Sequence, residues 1–359
     1  MNRISLIIPS YKPDEKLIST LTTAIEAGFN DILVVDDGGG KEFEHIFDRV
    51  REMKGCTVLV HPKNRGKGAA LKTAFSYFLE NRKGFTGVVT ADADGQHRTE
   101  DILAVARKMK ESGNIVLGYR NFSLEHVPAR SKFGNKMTSG VFRIFFGMKV
   151  KDTQTGLRAF PASVLDKMCS IKGDRYEYET HMLIDMSRHR LPFEEVEIET
   201  VYIEENQSSH FRPIVDSLRI YGILIKYLLS SVLSTVVDAL AFFLLKLFTF
   251  LSVIPIPLTF TAAFVARAIS SFINFMVNSK VVFSEKPNKG SMLRYYILVV
   301  IQICISAASV FCIEKLLRID SAALSTFIKV VVDTLLFFFS FRIQHKWVFN
   351  NSDNRRNKK

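Results

Sequence analysis

Cysteine is scarce. The four that a chain of 359 residues carries (Cys56, Cys169, Cys304, Cys312) show neither metal-ligand spacing nor a pairing pattern. That argues against a structural zinc and a disulfide framework, leaving reduced thiols or apolar fillers. Acidic residues also run short: almost all of them fall before about residue 220. The net charge of +12 comes without a nucleic-acid-binding motif and without a basic stripe interleaved with aromatics. Nucleic acid is therefore not an expected partner. No cleavable signal peptide is expected, because Met1 to Ile8 leads straight into a strand.

What the second half has instead is apolar length. Four stretches, near 228–251, 258–278, 293–313 and 321–341, are each long enough for a helix to cross about 30 Å of hydrocarbon. Basic residues flank them unevenly. Lys280, Lys286, Lys289 and Arg294 lie between the second and third, and Arg342, Lys346, Arg355, Arg356, Lys358 and Lys359 follow the fourth. The remaining connectors are nearly uncharged or balanced. The positive-inside rule then predicts a multi-pass protein of the cell membrane with both termini in the cytoplasm. Anionic headgroups and topology account for much of the positive charge. The organisation expected is a cytoplasmic domain over 1–222, a transmembrane domain over 223–350 and a basic tail over 351–359.

The first 125 residues alternate short apolar runs with helical patterns. Strands are predicted at Ile4–Ile8, Asp31–Val35, Cys56–Val60, Gly87–Ala91 and Ile115–Gly118, and helices near 14–27, 41–53, 67–82 and 99–111. That alternation predicts an α/β domain with a mostly parallel sheet covered on both faces. Ligands in such sheets bind outside the carboxyl ends of the strands. Polar clusters follow those ends: Pro9-Ser10-Tyr11, Asp36-Asp37-Gly38 and Asp92-Ala93-Asp94-Gly95-Gln96-His97. Another, Asn64-Arg65-Gly66-Lys67-Gly68, opens a helix, where N–H groups and two cations favour an anion. In the turn after the fourth strand, Asp92, Asp94 and Gln96 offer oxygens that can converge on one hard cation. Mg²⁺ or Mn²⁺ suits such a set and keeps positions open for phosphate oxygens.

In their order, these motifs resemble family 2 glycosyltransferases of the GT-A (Rossmann-like) fold, in the branch that makes polyprenyl-phosphate sugars, such as dolichol-phosphate mannose synthases. The resemblance spans about residues 3–222. It includes Asp152-Thr153-Gln154-Thr155-Gly156-Leu157-Arg158 and Ser208-Ser209-His210-Phe211-Arg212. The family usually has Asn and Glu soon after the Tyr, whereas this chain has Lys12 and Pro13. The resemblance implies Asp92, Asp94 and Gln96 as metal ligands, and Pro9, Tyr11, Asp37 and Ala93 as the nucleoside pocket. It implies Arg120 and Arg212 as phosphate contacts, with Asp94, Arg120 and Arg212 carrying the reaction. Read without the family, Arg120 fits a rim salt bridge equally well, and Asp37 fits a helix N-cap or turn residue.

The reaction so implied transfers a hexose, with inversion, from a uridine- or guanosine-diphosphate sugar to a polyprenyl phosphate at the lipid bilayer. An acceptor phosphate is already anionic at neutral pH, so a strong general base is not required. Glu177 and Glu179 are the candidates if one exists, and a pair that orders the pocket wall is the alternative. Basic amphipathic segments at 130–149 and 211–227 fit helices lying in the membrane interface, or core-packing helices with solvated lysines.

Two further features belong to the apolar half. Phe272-Ile273-Asn274-Phe275 leads to Asn278-Ser279-Lys280-Val281-Val282-Phe283. Sixty-six residues later Phe338-Phe339-Ser340-Phe341 leads to Gln344-His345-Lys346-Trp347-Val348-Phe349. This weak repeat suggests two matched hairpins, and the region resembles the GtrA-like family of small four-helix membrane proteins. Asp238, Arg267 and Asp333 lie deep within the stretches, where charges normally face a partner. Arg267 is expected to pair with one or both aspartates. Two other classes share parts of this pattern: a processive polysaccharide synthase, and a lipid-linked sugar flippase or scaffold with an inactive transferase domain. The Gln-x-x-Arg-Trp motif of the former is absent, since the only tryptophan, Trp347, follows Lys346. The intact Asp92, Asp94 and Gln96 argue against the latter. Donor identity and oligomeric state stay open.

Overall fold

The structure is a computed structural model that describes residues 3–124, 127, 129–199, 222–247, 258–283, 285–318 and 322–349. Two compact units result: residues 1–143 with 147–220, and residues 144–146 with 221–359.

The first unit runs β1 (Ile4–Ser10), α1 (Glu15–Glu26), β2 (Ile32–Asp36), α2 (Glu44–Glu52), β3 (Cys56–Val60), α3 (Lys67–Asn81), β4 (Gly87–Thr90), α4 (Thr99–Ser112) and β5 (Ile115–Arg120). It continues through α5 (Ala129–Val141), β6 (Arg158–Pro161), α6 (Ala162–Cys169), α7 (Glu177–His189) and β7 (Phe193–Ile198). The predicted strands and helices are all present, with shifted ends. β1 extends to Ser10, β5 reaches Arg120, and α2 is preceded by a 3₁₀ turn at Lys41–Phe43. Segment 130–149 contains α5 followed by a π turn at Phe142–Phe146, with Phe133 and Met137 exposed.

One seven-stranded sheet has the order β3-β2-β1-β4-β6-β5-β7. Among the described strands only β6 runs antiparallel, against both β4 and β5. From β1 the chain builds outward through β2 and β3, then returns to place β4 on the other side of β1. That reversal opens a crevice at the carboxyl ends of β1 and β4. Ile4, Leu6 and Ile8 alternate onto one face, where they pack with Leu17 and Leu21 of α1, Phe47 of α2 and Ile102 and Val105 of α4. Ile7, Leu33 and Val35 are buried on the opposite face, where Phe75 of α3 sets its ring 5.5 Å from that of Phe160. Burial on both sides is why these strands read as unbroken apolar runs. Each such side chain contributes about 1.5–3 kcal/mol.

Among its described residues the second unit contains four α-helices: α8 (Gly222–Leu247), α9 (Leu258–Val277), α10 (Lys289–Leu317) and α11 (Ala322–Ile343). Compared with the predicted stretches, α8 begins six residues earlier, and α10 is longer at both ends. Gly222–Leu245 and Lys289–Leu317 are long and apolar enough to cross a membrane. Leu229, Phe243, Ile303 and Phe311 point away from the unit, each at least 60% exposed, which suits a lipid surroundings better than water. Asn288 caps α10, accepting from the Ser291 N–H at 2.7 Å.

The repeat is physical. α9 and α11 each end in a π turn, Asn278–Val282 and Gln344–Val348. Equivalent side chains make reciprocal contacts: Phe275 with Phe349 (5.7 Å) and Phe283 with Phe341 (5.5 Å). Asn278 and Gln344, themselves equivalent, bond to one another at 3.0 Å. Exchange of this kind is the mark of a two-fold, isologous packing. Deeper in the helices Arg267 pairs with Asp238 (3.4 Å), as expected, and Ser270 donates to the same carboxylate (2.9 Å). Asp333 accepts from Ser306 at 2.5 Å.

Candidate active site

Strand register brings the predicted clusters onto one rim. Ser10 lies opposite Asp36, Asp36 opposite Val60, and Ile7 opposite Thr90. Because β6 is antiparallel, its first residue, Arg158, lies opposite Thr90, so the Asp152–Arg158 motif enters the same rim. Thr90 Oγ1 ties it down by donating to the carbonyls of Gly156 (2.9 Å) and Arg158 (3.3 Å).

At the centre stands Asp92, two residues past β4. Its Oδ1 is 2.6 Å from Lys67 Nζ and its Oδ2 is 3.4 Å from His97 Nε2. Lys67, the first residue of α3, also reaches Glu179 Oε1 at 3.0 Å. Burial alone would raise the Asp92 carboxyl and lower the Lys67 ammonium. Their mutual attraction, with His97 and Glu179, wins and drives both the other way. Asp94 behaves differently: burial and the Asp92 charge push its carboxyl upward, although its Oδ1 accepts the Gln96 N–H at 3.0 Å. A carboxylate held ionised beside one that resists ionising is a site that favours added positive charge.

Gly156 explains why Asp92 fits. A Cβ there would meet the Asp92 Cγ and Oδ1 at 2.7 Å and Oδ2 closer still. Arg158 holds that segment in place. Wholly buried, it donates to the carbonyls of Thr155 (3.0 Å), Glu179 (2.9 Å) and Thr153 (3.4 Å). Burial lowers its guanidinium from the ordinary value.

The anion favoured by the Asn64–Gly68 loop turns out to be internal. Asp37 accepts the Arg65 N–H (2.9 Å) and the Gly66 N–H (2.7 Å), and His61 Nδ1 lies 2.7 Å from it. Gly66 takes φ +102°, a conformation open to glycine, just before Lys67. Thus Asp37 clamps the loop that aims Lys67 at Asp92. Pro9 and Tyr11 are half-buried at the end of β1, with Lys12 Nζ 5.6 Å from the Tyr11 ring centroid. Ala93 packs partly against the core. Arg120 forms an ion pair with buried Asp152 (2.7 Å) and lies over the Phe122 ring. Glu177 accepts the N–H groups of Asp174 and Arg175, ordering the turn before α7. Arg212 and the Ser208–Arg212 segment lie outside the described residues, as does most of 211–227.

Residues 5–168 match the family described as Glycosyl transferase family 2, and residues 226–349 match the GtrA/DPMS transmembrane domain. The uncharacterized protein MJ1222 of Methanocaldococcus jannaschii is 30% identical over 212 residues, 58% of this chain and 85% of that protein. The chain belongs to glycosyltransferase family 2. A UDP-N-acetylglucosamine–dolichyl-phosphate N-acetylglucosaminyltransferase of Methanococcus voltae is 29% identical over 56% of this chain and 86% of its own. A polyprenol monophosphomannose synthase of Mycolicibacterium smegmatis is 27% identical over 46% and 64%. The chain is thus a glycosyltransferase with a GT-A catalytic domain and a helical membrane domain.

Among the described residues of this transferase, no group of three or more His, Cys, Asp or Glu is placed to hold a metal. Asp92, Asp94 and Gln96 are two carboxylates and an amide, a set of hard oxygens that fits Mg²⁺ or Mn²⁺ when phosphate oxygens complete the shell. Lys67 and Gly156 meet Asp92 directly, Glu179 holds Lys67 and Arg158 holds the Gly156 segment, and the sequence alone assigns none of the four this place. A signal existed: glycine in Thr155-Gly156-Leu157, and a cation opening a helix beside a loop of backbone donors.

Proposed function

We propose that this transferase moves a hexose from a nucleoside-diphosphate sugar to a polyprenyl phosphate, with inversion, using Mg²⁺ or Mn²⁺ at the cytoplasmic face of a membrane. The observation that carries the reading is the Asp92–Gln96 turn at the crevice between β1 and β4, in a chain that also holds apolar helices of membrane length. The curated relatives named for dolichyl-phosphate and polyprenol acceptors support a lipid phosphate here. The basic residues between the second and third helices and after the fourth support cytoplasmic termini.

The chemistry asks for charge neutralisation and placement rather than a base. A divalent metal, when bound, neutralises the departing diphosphate. Asp92, Asp94 and Gln96 would hold it. Pro9, Tyr11 and Ala93 border the nucleoside side, and Asp37 fixes the adjoining loop. Arg120 and Arg212 would meet phosphate, Arg120 from its post on Asp152. Glu177 and Glu179 are committed to backbone N–H groups and to Lys67, which supports a mechanism without a carboxylate base.

The test is incubation of the full-length protein in detergent or vesicles with Mn²⁺, polyprenyl phosphate and a panel of UDP- and GDP-hexoses. A lipid-linked sugar forms with at least one donor, and Asp94→Ala lowers its rate at least about 100-fold. If no donor yields a lipid product, the proposal fails.

A further inference from the structure

Lys67 poses a question that the metal site does not answer. Its ammonium lies 2.6 Å from Asp92 Oδ1, while Asp92 Oδ2 is 3.4 Å from His97 Nε2. A divalent ion on Asp92 therefore meets a cation already in place. The helix start that carries Lys67 is fixed by Asp37 through the Gly66 N–H, and Gly68 packs against Tyr178 with no room for a side chain. The backbone of Lys67 is held, so any change of partner falls to the rotatable bonds of its four-carbon side chain. Glu179, at 3.0 Å, offers a second anchor for the ammonium.

We infer that Lys67 is an exchangeable positioning cation: it neutralises Asp92 while the site is empty, yields Asp92 to the incoming metal, and then faces the diphosphate of the donor. This rests on the proposed reading of the Asp92–Gln96 turn as a metal site. Two cations on one carboxylate repel, so Lys67 and the metal compete for Asp92. A diphosphate brings negative charge to the same place, and the ammonium released from Asp92 becomes a charge-assisted donor to it. Glu179 keeps the lysine within the site during the exchange. A purely structural lysine would have one sign of effect: its removal would loosen every ligand. An exchanging lysine has two.

The experiment compares wild type, Lys67→Met, Lys67→Arg and Lys72→Met as full-length proteins. Lys72 lies on the same helix and pairs with Asp174, away from Asp92, and so controls for general charge. Binding of Mn²⁺ alone is read from the paramagnetic resonance of free Mn²⁺, and binding of UDP and GDP in saturating Mn²⁺ by calorimetry. The Lys67→Met protein should bind Mn²⁺ about tenfold more tightly than wild type and the nucleoside diphosphate about tenfold more weakly. Lys67→Arg should recover part of the nucleotide affinity, and Lys72→Met should leave both unchanged. Mn²⁺ affinity unchanged or weakened in a folded Lys67→Met protein overturns the inference, as does a matching effect of Lys72→Met. Should Lys67→Met not fold, Glu179→Gln replaces it. Lys67 is then left to Asp92 alone, so Mn²⁺ should bind more weakly, and no change would overturn the inference. If wild type itself binds no Mn²⁺, the metal reading of the turn fails and carries this inference with it.

Discussion

Gly156→Ala isolates the close approach on which the Asp92 carboxylate depends. Gly156 has no positive φ, so alanine is compatible with the backbone, and the added methyl meets chiefly one neighbour. That neighbour is Asp92, with Cγ and Oδ1 at 2.7 Å from the new carbon, where ordinary contact begins at 3.4 Å. The carboxylate must retreat by about 1 Å, a displacement that costs roughly 100-fold when it falls on a group that positions reactants. Moving it also lengthens the 2.6 Å contact with Lys67. Overpacking of this kind costs about 1–3 kcal/mol, which for a unit of this size lowers Tm by about 2–4 °C per kcal/mol. The assay is a double-mutant cycle on the full-length protein, with thermal midpoint and lipid-linked product formation as readouts. Gly156→Ala should lower both. In an Asp92→Ala background, where the obstructing carboxylate is gone, the same substitution should leave the midpoint nearly unchanged. An equal loss in both backgrounds would refute the reasoning, because the strain would then lie elsewhere than at Asp92.

Other outcomes follow from neighbouring features. Arg158→Met removes a buried donor from the carbonyls of Thr153, Thr155 and Glu179 and should cost about 3 kcal/mol or more in urea unfolding, with Asp92-dependent activity lost alongside. Burial pushes the Cys56 thiol up to about 11. Its thiolate is therefore on the order of one in a thousand at pH 8, and iodoacetamide labelling of this residue should stay slow there and accelerate as pH rises towards 11. Labelling at the rate of an ordinary thiol, mapped by peptide mass spectrometry, would contradict the burial. Arg267→Leu strands Asp238 with Ser270 and should reduce the yield of folded protein in membranes, and adding Asp238→Asn should restore it.

The parts legible in the sequence were those with a one-dimensional signature. Strands β1, β2, β4 and β5 announce themselves because both faces are largely buried, leaving continuous apolar runs such as Ile4–Ile8, while the half-buried edge strand β3 reads from its short apolar run Cys56–Val60 alone. β6 does not: four residues long, it carries Arg158 and Pro161, and its arginine is buried by carbonyls contributed from other segments. β7 reads Phe193-Glu194-Glu195-Val196-Glu197-Ile198, the charged pattern of an edge strand, and periodicity alone does not separate it from a loop. At the site, each rim cluster was visible because it follows a strand. The links among clusters were not. Asp37 to Gly66, Lys67 to Asp92 and Gly156 to Asp92 join residues 25 or more positions apart, and only the order of the strands brings them together. Arg120 shows the converse: its position at a strand end was clear, while its partner Asp152 depended on the antiparallel entry of β6.

The reciprocal packing of the two helical hairpins has a consequence for their history and their freedom. A single hairpin with this surface would have to find a second copy of itself, at a concentration set by diffusion. Tethering the two converts that encounter into an intramolecular one with a high effective concentration. Once tethered, the halves need no longer be identical. Counting 66 residues on, position 267 is arginine in one hairpin and position 333 is aspartate in the other, and Asp238 is answered by Cys304. The aromatic ends kept their match while the polar middles diverged, an ion pair in one half and an aspartate with a serine in the other. A homodimer of one hairpin could not carry that difference, because every change would appear on both sides of the axis. Joining the halves in one chain is what permits Arg267 to pair with Asp238 in one of them while Asp333 stands with Ser306 in the other.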